Sequence, residues 1–271
     1  MKKSILSVVV ISSLLIGTNG SVVQAAECTQ LNSDDLFKVP NSSAVYLINQ
    51  VGERMYFPNS EVYHTWYSDF NGVVEIPETC VDNYPAPSKA PYGVNYRSGS
   101  RLIKKDNSSD VYAVSPGNVI KKIKDEDTAK TLYGEEWSKL VRDVVDSFWV
   151  NYEDSNEEVN GSAPHDGMIV KSESEQNAYF VKDGELHELG LENDLNEVYK
   201  NDLHVLSDDV INGLNKNMVM FNSRVINRNP DQYEGFEFED ESSEINNTES
   251  NNNGNLENNN DGSGDLENDI N

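Results

Sequence analysis

The sequence predicts an α+β protein made of tandem repeats of a hairpin-helix-strand-helix unit, followed by a disordered acidic C-terminal tail. Three observations carry that expectation. The series Leu36, Tyr46, Tyr63, Trp66, Tyr67 returns 66 residues later as Leu102, Tyr112, Ala129, Leu132, Tyr133. A looser third copy sets Ile169 and Tyr179 67 residues beyond the second, and Leu195, Val198 and Tyr199 66 beyond it. Composition then shifts, leaving residues 231–271 acidic, Asn-rich and nearly without apolar side chains. Self-similarity at a fixed period means one supersecondary unit used again, each copy burying its apolar face on the next.

The chain opens with the pattern of a secretory signal. Lys2 and Lys3 precede an apolar run at residues 5–16, and Val23-Gln24-Ala25 supplies small residues at a cleavage site. That run of 12 residues is short of the roughly 20 needed to span a bilayer. Export is therefore expected, to the medium or the cell surface, with residues 1–25 removed and no transmembrane segment afterwards. Glu27 stands before Cys28 where a lipoprotein signal carries a small residue.

The expected organisation is a first unit at 26–84, a linker and second unit at 85–152, a linker at 153–167, a third unit at 168–230 and the tail at 231–271. Charge narrows the partners. The formal net charge is −26, and the tail from residue 229 holds thirteen acids and no Lys or Arg. Residues 27–228 still carry 34 acids against 19 bases. Such a surface repels nucleic acid and anionic lipid, and leaves basic partners, divalent cations or plain solubility.

Cys28 and Cys80 are the two cysteines. In an oxidising compartment one disulfide between them is the simplest account. The alternatives are two buried thiols, or Cys80 as a nucleophile served by His64, which would need a free thiolate and an orienting partner.

Within the first unit, Val45-Tyr46-Leu47-Ile48 and Arg54-Met55-Tyr56-Phe57 are β-favouring runs around a Gly-containing loop, the mark of a hairpin. Val111 to Val114 and Val119 to Ile123 repeat it around Pro116-Gly117. Tyr179-Phe180-Val181 and Leu186 to Leu189 repeat it again around Asp183-Gly184. A short helix follows each hairpin, with buried faces set by Tyr63, Trp66, Tyr67, then Ala129, Leu132, Tyr133, then Leu195, Val198, Tyr199. Asn59, Asp125 and Asn193 are the expected N-caps, and Gly134 an αL end to the second helix.

The close of each unit sets two rules against each other. Trp137, Leu140, Val141, Val144, Val145 and Phe148 follow helical spacing. The matching segments, Val73-Val74-Glu75-Ile76-Pro77 and Leu203-His204-Val205-Leu206-Ser207, read as a strand ending at a cap, and Pro77 cannot lie inside a helix. Aligning Asn83-Tyr84 with Asn151-Tyr152 favours strand then helix in all three. Val94-Asn95-Tyr96 is an expected joining strand, and Met218-Val219-Met220-Phe221 an expected closing strand.

Val45-Tyr46-Leu47, Tyr56-Phe57-Pro58-Asn59-Ser60-Glu61, Trp66-Tyr67-Ser68-Asp69-Phe70, Leu102-Ile103-Lys104 and Val111-Tyr112-Ala113-Val114 resemble an uncharacterised tandem repeat module of exported bacterial proteins. The first two units match it and the third loosely. The resemblance implies an accessory or surface role and carries over no catalytic residue.

The four histidines show no metal-ligand spacing, and no nucleophile-elbow, zinc-protease or phosphate-loop motif occurs. No catalytic, cofactor or metal residue is expected. Tyr56, Trp66 and Tyr96 are the candidate ligand-contact aromatics, with core packing as their other reading. The function expected is non-catalytic binding, adhesion or structural work at the cell surface, with a surface glycan or protein as partner. The alternative is a secreted envelope hydrolase using scattered carboxylates or His64.

Overall fold

The computed structural model describes residues 28–217. It is an α+β fold of three mixed sheets with short helices between them. The expected signal peptide, closing strand at 218–221 and acidic tail lie outside the described residues. Among those residues, no helix is long and apolar enough to cross a membrane.

The first sheet comprises β1 (Leu36–Lys38), β2 (Tyr46–Ile48) and β3 (Arg54–Tyr56), and after helix α1 (Ser60–His64) it gains β4 (Val73–Glu75). Its order is β3-β2-β1-β4, with β1 and β4 parallel and the other pairs antiparallel. Gly93 then bridges Tyr56 in parallel. The second sheet holds β5 (Leu102–Lys105), β6 (Val111–Ser115), β7 (Val119–Ile123), β8 (Val141–Val144) and β9 (Glu153–Val159). Helix α2 (Glu126–Tyr133) precedes β8 and α3 (Asp146–Trp149) follows it. The third holds β10 (Ile169–Ser172), β11 (Asn177–Lys182), β12 (Glu185–Leu191), β13 (Leu203–Leu206) and β14 (Lys216–Asn217), with α4 (Glu197–Asn201) before β13 and α5 (Asp208–Asn212) after it. Their orders are β8-β5-β6-β7-β9 and β13-β10-β11-β12-β14. In each sheet the helix is the crossover that lets the fourth strand return parallel to the first.

The consecutive apolar pairs Leu36-Phe37, Leu102-Ile103 and Ile169-Val170 show why the sheets stack. Neighbouring strand residues point to opposite faces, so two apolar neighbours require cover on both sides. Leu36 packs with Val62, Tyr63 and Trp66 around α1, together with Ile103, Val114 and Ile120 from the second sheet. Leu102 packs with Ala129, Leu132 and Tyr133 of α2, together with Val170, Tyr179 and Leu186 from the third. Ile169 packs under Val198 and Tyr199 of α4. Phe37, on the outer face of the first sheet, is covered by Leu31, Ile76, Cys80 and Tyr84.

The hydrogen bonds of the N-caps follow chemistry more faithfully than spacing. Asn59 accepts from Val62 N–H and Asp125 from Thr128 N–H, as expected. The third cap is Asn196, which accepts from Tyr199 N–H, and not Asn193; the latter lies in a 3-10 turn that places Leu195 just ahead of the helix. Gly134 ends α2 with φ 82 and ψ 173, which is positive but not αL. Asp183 and Gly184 both take positive φ in the tight β11–β12 turn.

Residues 137–149 form a 3-10 turn, strand β8 and helix α3, so strand then helix holds there and helical periodicity misleads. Two connections differ from expectation. Glu153–Val159, inside the expected linker, is edge strand β9, parallel to β7. Val94-Asn95-Tyr96 forms no strand; residues 93–100 are nonetheless buried between the sheets. Gly99 (φ +73) and Gly167 (φ +91) permit that depth, since a Cβ on Gly99 would lie 2.4 Å from Gly167 O and one on Gly167 2.3 Å from Ser98 Cβ.

Candidate functional site

The two cysteines form a disulfide with Cα atoms 5.5 Å apart. It ties the N-terminal segment to the 3-10 turn Glu78–Asn83, and Tyr84 reinforces it: its hydroxyl accepts from Leu31 N–H at 2.7 Å and donates to Thr29 O at 3.2 Å. Cys80 thus holds no free thiol for His64, whose ring is exposed and meets Tyr67 O through Nδ1 at 3.0 Å.

The three candidate aromatics part company. Trp66 is 2% exposed and its indole N–H donates to Asn95 O at 2.9 Å, while Tyr96 is 6% exposed. Trp66 cannot stack on a ligand, because the second sheet covers the helix stripe that a sequence leaves open, whereas Tyr96, though nearly buried, lines the cleft between the sheets. Tyr56 is 37% exposed and meets the Phe148 ring edge-on at 5.3 Å between centroids.

Tyr56 and Phe148 mark a seam where the first and second sheets meet. There a cleft of about 220 Å³ opens between Pro58 and Asn59 on one side and Val145, Phe148 and Tyr152 on the other. Val62, Val94 and Val144 are its buried apolar wall. Exposed Tyr92 neighbours it, held by a hydrogen bond from its N–H to Asn151 Oδ1 at 2.9 Å, and Gly93 packs so closely that a Cβ would stand 2.7 Å from Tyr56 O. The cleft's amides are committed. Asn95 Nδ2 donates to Asn118 Oδ1 at 2.8 Å and Asn151 O at 3.3 Å, and its Oδ1 accepts from Asn151 Nδ2 at 3.2 Å. Asp143, the carboxylate lining the cleft, is 2.6 Å from Lys104 Nζ. Burial pushes the Tyr152 hydroxyl up and does the same for Tyr96, where Glu61 adds to it.

A second cavity of about 250 Å³ lies beside Tyr63 and Tyr67, with Asp34, Asp35 and Asp69 in its wall. Burial, then Asp69, pushes Tyr63 up to about 12. Its carboxylates brace turns: Asp35 accepts from Asn32 N–H, Asp69 from Asn71, and Asp34 from Gln50 Nε2. Among the described residues, no group of three or more His, Cys, Asp or Glu is placed to hold a metal ion.

Sequence reasoning missed Tyr92, Val145, Phe148 and Tyr152. Two signals pointed there: the candidate Tyr96, which lines the cleft, and the pairing of Asn83-Tyr84 with Asn151-Tyr152, since Tyr84 clamps the N-terminal segment while Tyr152 lines the cleft. Compared with protein-family models, curated proteins and solved structures, the chain matches none.

Proposed function

We propose that this is an exported, non-catalytic protein that binds at the cell surface, built from three copies of one unit, with the acidic C-terminal segment as a spacer. The seam cleft carries the reading, with exposed Val145 in its lining, exposed Tyr56 against its lining residue Phe148, and exposed Tyr92 two residues before its lining residue Val94. Exposed aromatics beside a concave apolar wall suit ligand contact, and here they sit on a scaffold buried on both sides. The repeat organisation is supported by the shared pairing order and by partner offsets: Leu36 faces Leu47, Leu102 faces Ala113 and Ile169 faces Phe180. Export is supported by the signal pattern and by a disulfide, which persists outside a reducing cytoplasm.

The ends of the stack argue for a lateral binding face. The disulfide-tied segment covers the first sheet's outer face, and α4 turns polar Glu197 and Asn201 outward. The test is to incubate labelled mature protein with bacterial cells and purified envelope polymers. Saturable binding that weakens in Tyr56→Ala and Tyr92→Ala variants is expected, with no polymer consumed. Turnover of a polymer by the purified protein, abolished by changing one carboxylate without unfolding, would overturn the proposal.

A further inference from the structure

We infer that the seam cleft receives an N-acetylated sugar, with the acetamido carbonyl accepting from Tyr152. This rests on the binding reading above and names the ligand class for the same site.

The Tyr152 hydroxyl accepts from Tyr96 N–H at 3.4 Å. A phenol that accepts one bond still has its own proton to donate, and this side chain lines open space in the cleft. A ligand seated there must offer an acceptor.

What surrounds that donor is mostly apolar, and the other phenol of the cleft, Tyr96, bonds the Asn59 side chain. Val62, Val94 and Val144 form the wall, with Val145 and Phe148 at the mouth. The neighbouring polar groups are occupied: Asn95 by Asn118 and Asn151, Asn59 by the α1 backbone, Asp143 by Lys104. The cleft therefore suits one carbonyl oxygen beside a methyl group. A sugar bearing hydroxyls alone would have to set a donor against the valines with nothing to receive it, at a cost in affinity, whereas an acetylated sugar can seat its acetamido group there and keep its ring hydroxyls and amide N–H toward solvent at the mouth. An acetamido group supplies both the acceptor and the methyl.

Size and charge agree. A cleft of about 220 Å³ has room for the acetamido arm and the adjoining edge of one sugar residue, and a longer chain would continue over Tyr56, which is exposed and packs on the cleft residue Phe148, its flat face suiting pyranose stacking. An uncharged ligand also suits a chain of net charge −26, which repels acidic polymers.

The experiment titrates the full mature protein, in physiological salt, with the trimer of N-acetylglucosamine, the matching glucose trimer and an uncharged apolar peptide, by calorimetry and NMR. Saturable binding of the acetylated trimer is expected, at least about tenfold tighter than the glucose trimer. Tyr152→Phe removes one hydrogen bond and should weaken binding about tenfold. Val145→Lys blocks the exposed mouth and should abolish it, with the thermal midpoint unchanged. If Tyr152→Phe fails to fold, Val145→Lys decides alone. Equal affinity for both trimers, no saturation with the acetylated one, or binding of the peptide in its place would overturn the inference. A protein that binds cells but ignores the acetylated trimer rejects this ligand and leaves surface binding standing; one that binds neither rejects both.

Discussion

Arg97 and Asp202 lie 105 residues apart and meet at 2.7 Å, Nη2 to Oδ2, with side chains 0% and 2% exposed. The same carboxylate accepts from Arg101 Nη1 at 2.5 Å, and Arg97 Nε donates to Thr65 O at 2.9 Å. Glu61 extends the chain of charges to Arg142. A segment between the first two sheets thus reaches the helix of the first and the third sheet's crossover at one point.

Removing Asp202 leaves two guanidinium groups with too few acceptors in a buried site. The Asp202→Ala variant should lose about 3–5 kcal/mol in chemical denaturation, the usual result of breaking a buried pair on one side. Asp202→Asn keeps an acceptor and should lose less. A loss no larger than that of an exposed ion pair, about 1 kcal/mol, would show that the network contributes little.

The disulfide acts at the other end of the stack. Its two cysteines are 52 residues apart, and replacing both with Ser should cost about 2–4 kcal/mol by freeing the unfolded chain. Urea denaturation with and without reductant measures it. An unchanged midpoint would mean that the Tyr84 hydroxyl holds Leu31 and Thr29 unaided.

What the sequence disclosed depended on how much apolar pattern each element carries. Leu36, Leu102 and Ile169 were legible as matched positions because all three are buried in equivalent strands. Strand β9 was not, since Val159 is its one buried residue and its acids shield an exposed edge. The third N-cap was misplaced by three residues because Asn193 and Asn196 are chemically alike and a 3-10 turn intervenes. Trp66 and Tyr56 could not be told apart by type: whether a ring is covered depends on the next sheet, which no local pattern reports. The cleft was hidden for the same reason, being made from residues on both sides of the seam.

Acid should loosen the contact between the second and third sheets. His165 accepts from the Tyr133 hydroxyl through Nε2 at 2.6 Å and donates from Nδ1 to Asp166 O, while His204 donates from Nε2 to Gly99 O at 2.9 Å. Burial lowers both, His165 from 6.5 to about 4, and cations nearby, Lys121 for His165 and Arg97 and Arg101 for His204, act the same way. A depressed histidine binds fewer protons folded than unfolded, so its stabilisation is present above pH 6.5 and is lost as pH falls toward 4. For His165 the loss reaches up to about 3 kcal/mol. Denaturation midpoints taken across that window should fall steeply in the native protein and less in His165→Gln. Parallel slopes would assign the loss to other groups.

The last prediction separates core from surface within one aromatic set. Trp66 is enclosed by both sheets and bonds Asn95 O, so Trp66→Ala should cost about 3–5 kcal/mol through the cavity left behind. Tyr56 keeps 37% of its surface and one edge-on ring contact, so Tyr56→Ala should cost about 1 kcal/mol. Binding to cells should reverse the order: near normal for Trp66→Ala where it stays folded, because its ring touches no ligand, and weakened for Tyr56→Ala, because that ring borders the cleft. A Tyr56→Ala protein that binds as the native one does would move the binding face away from the seam.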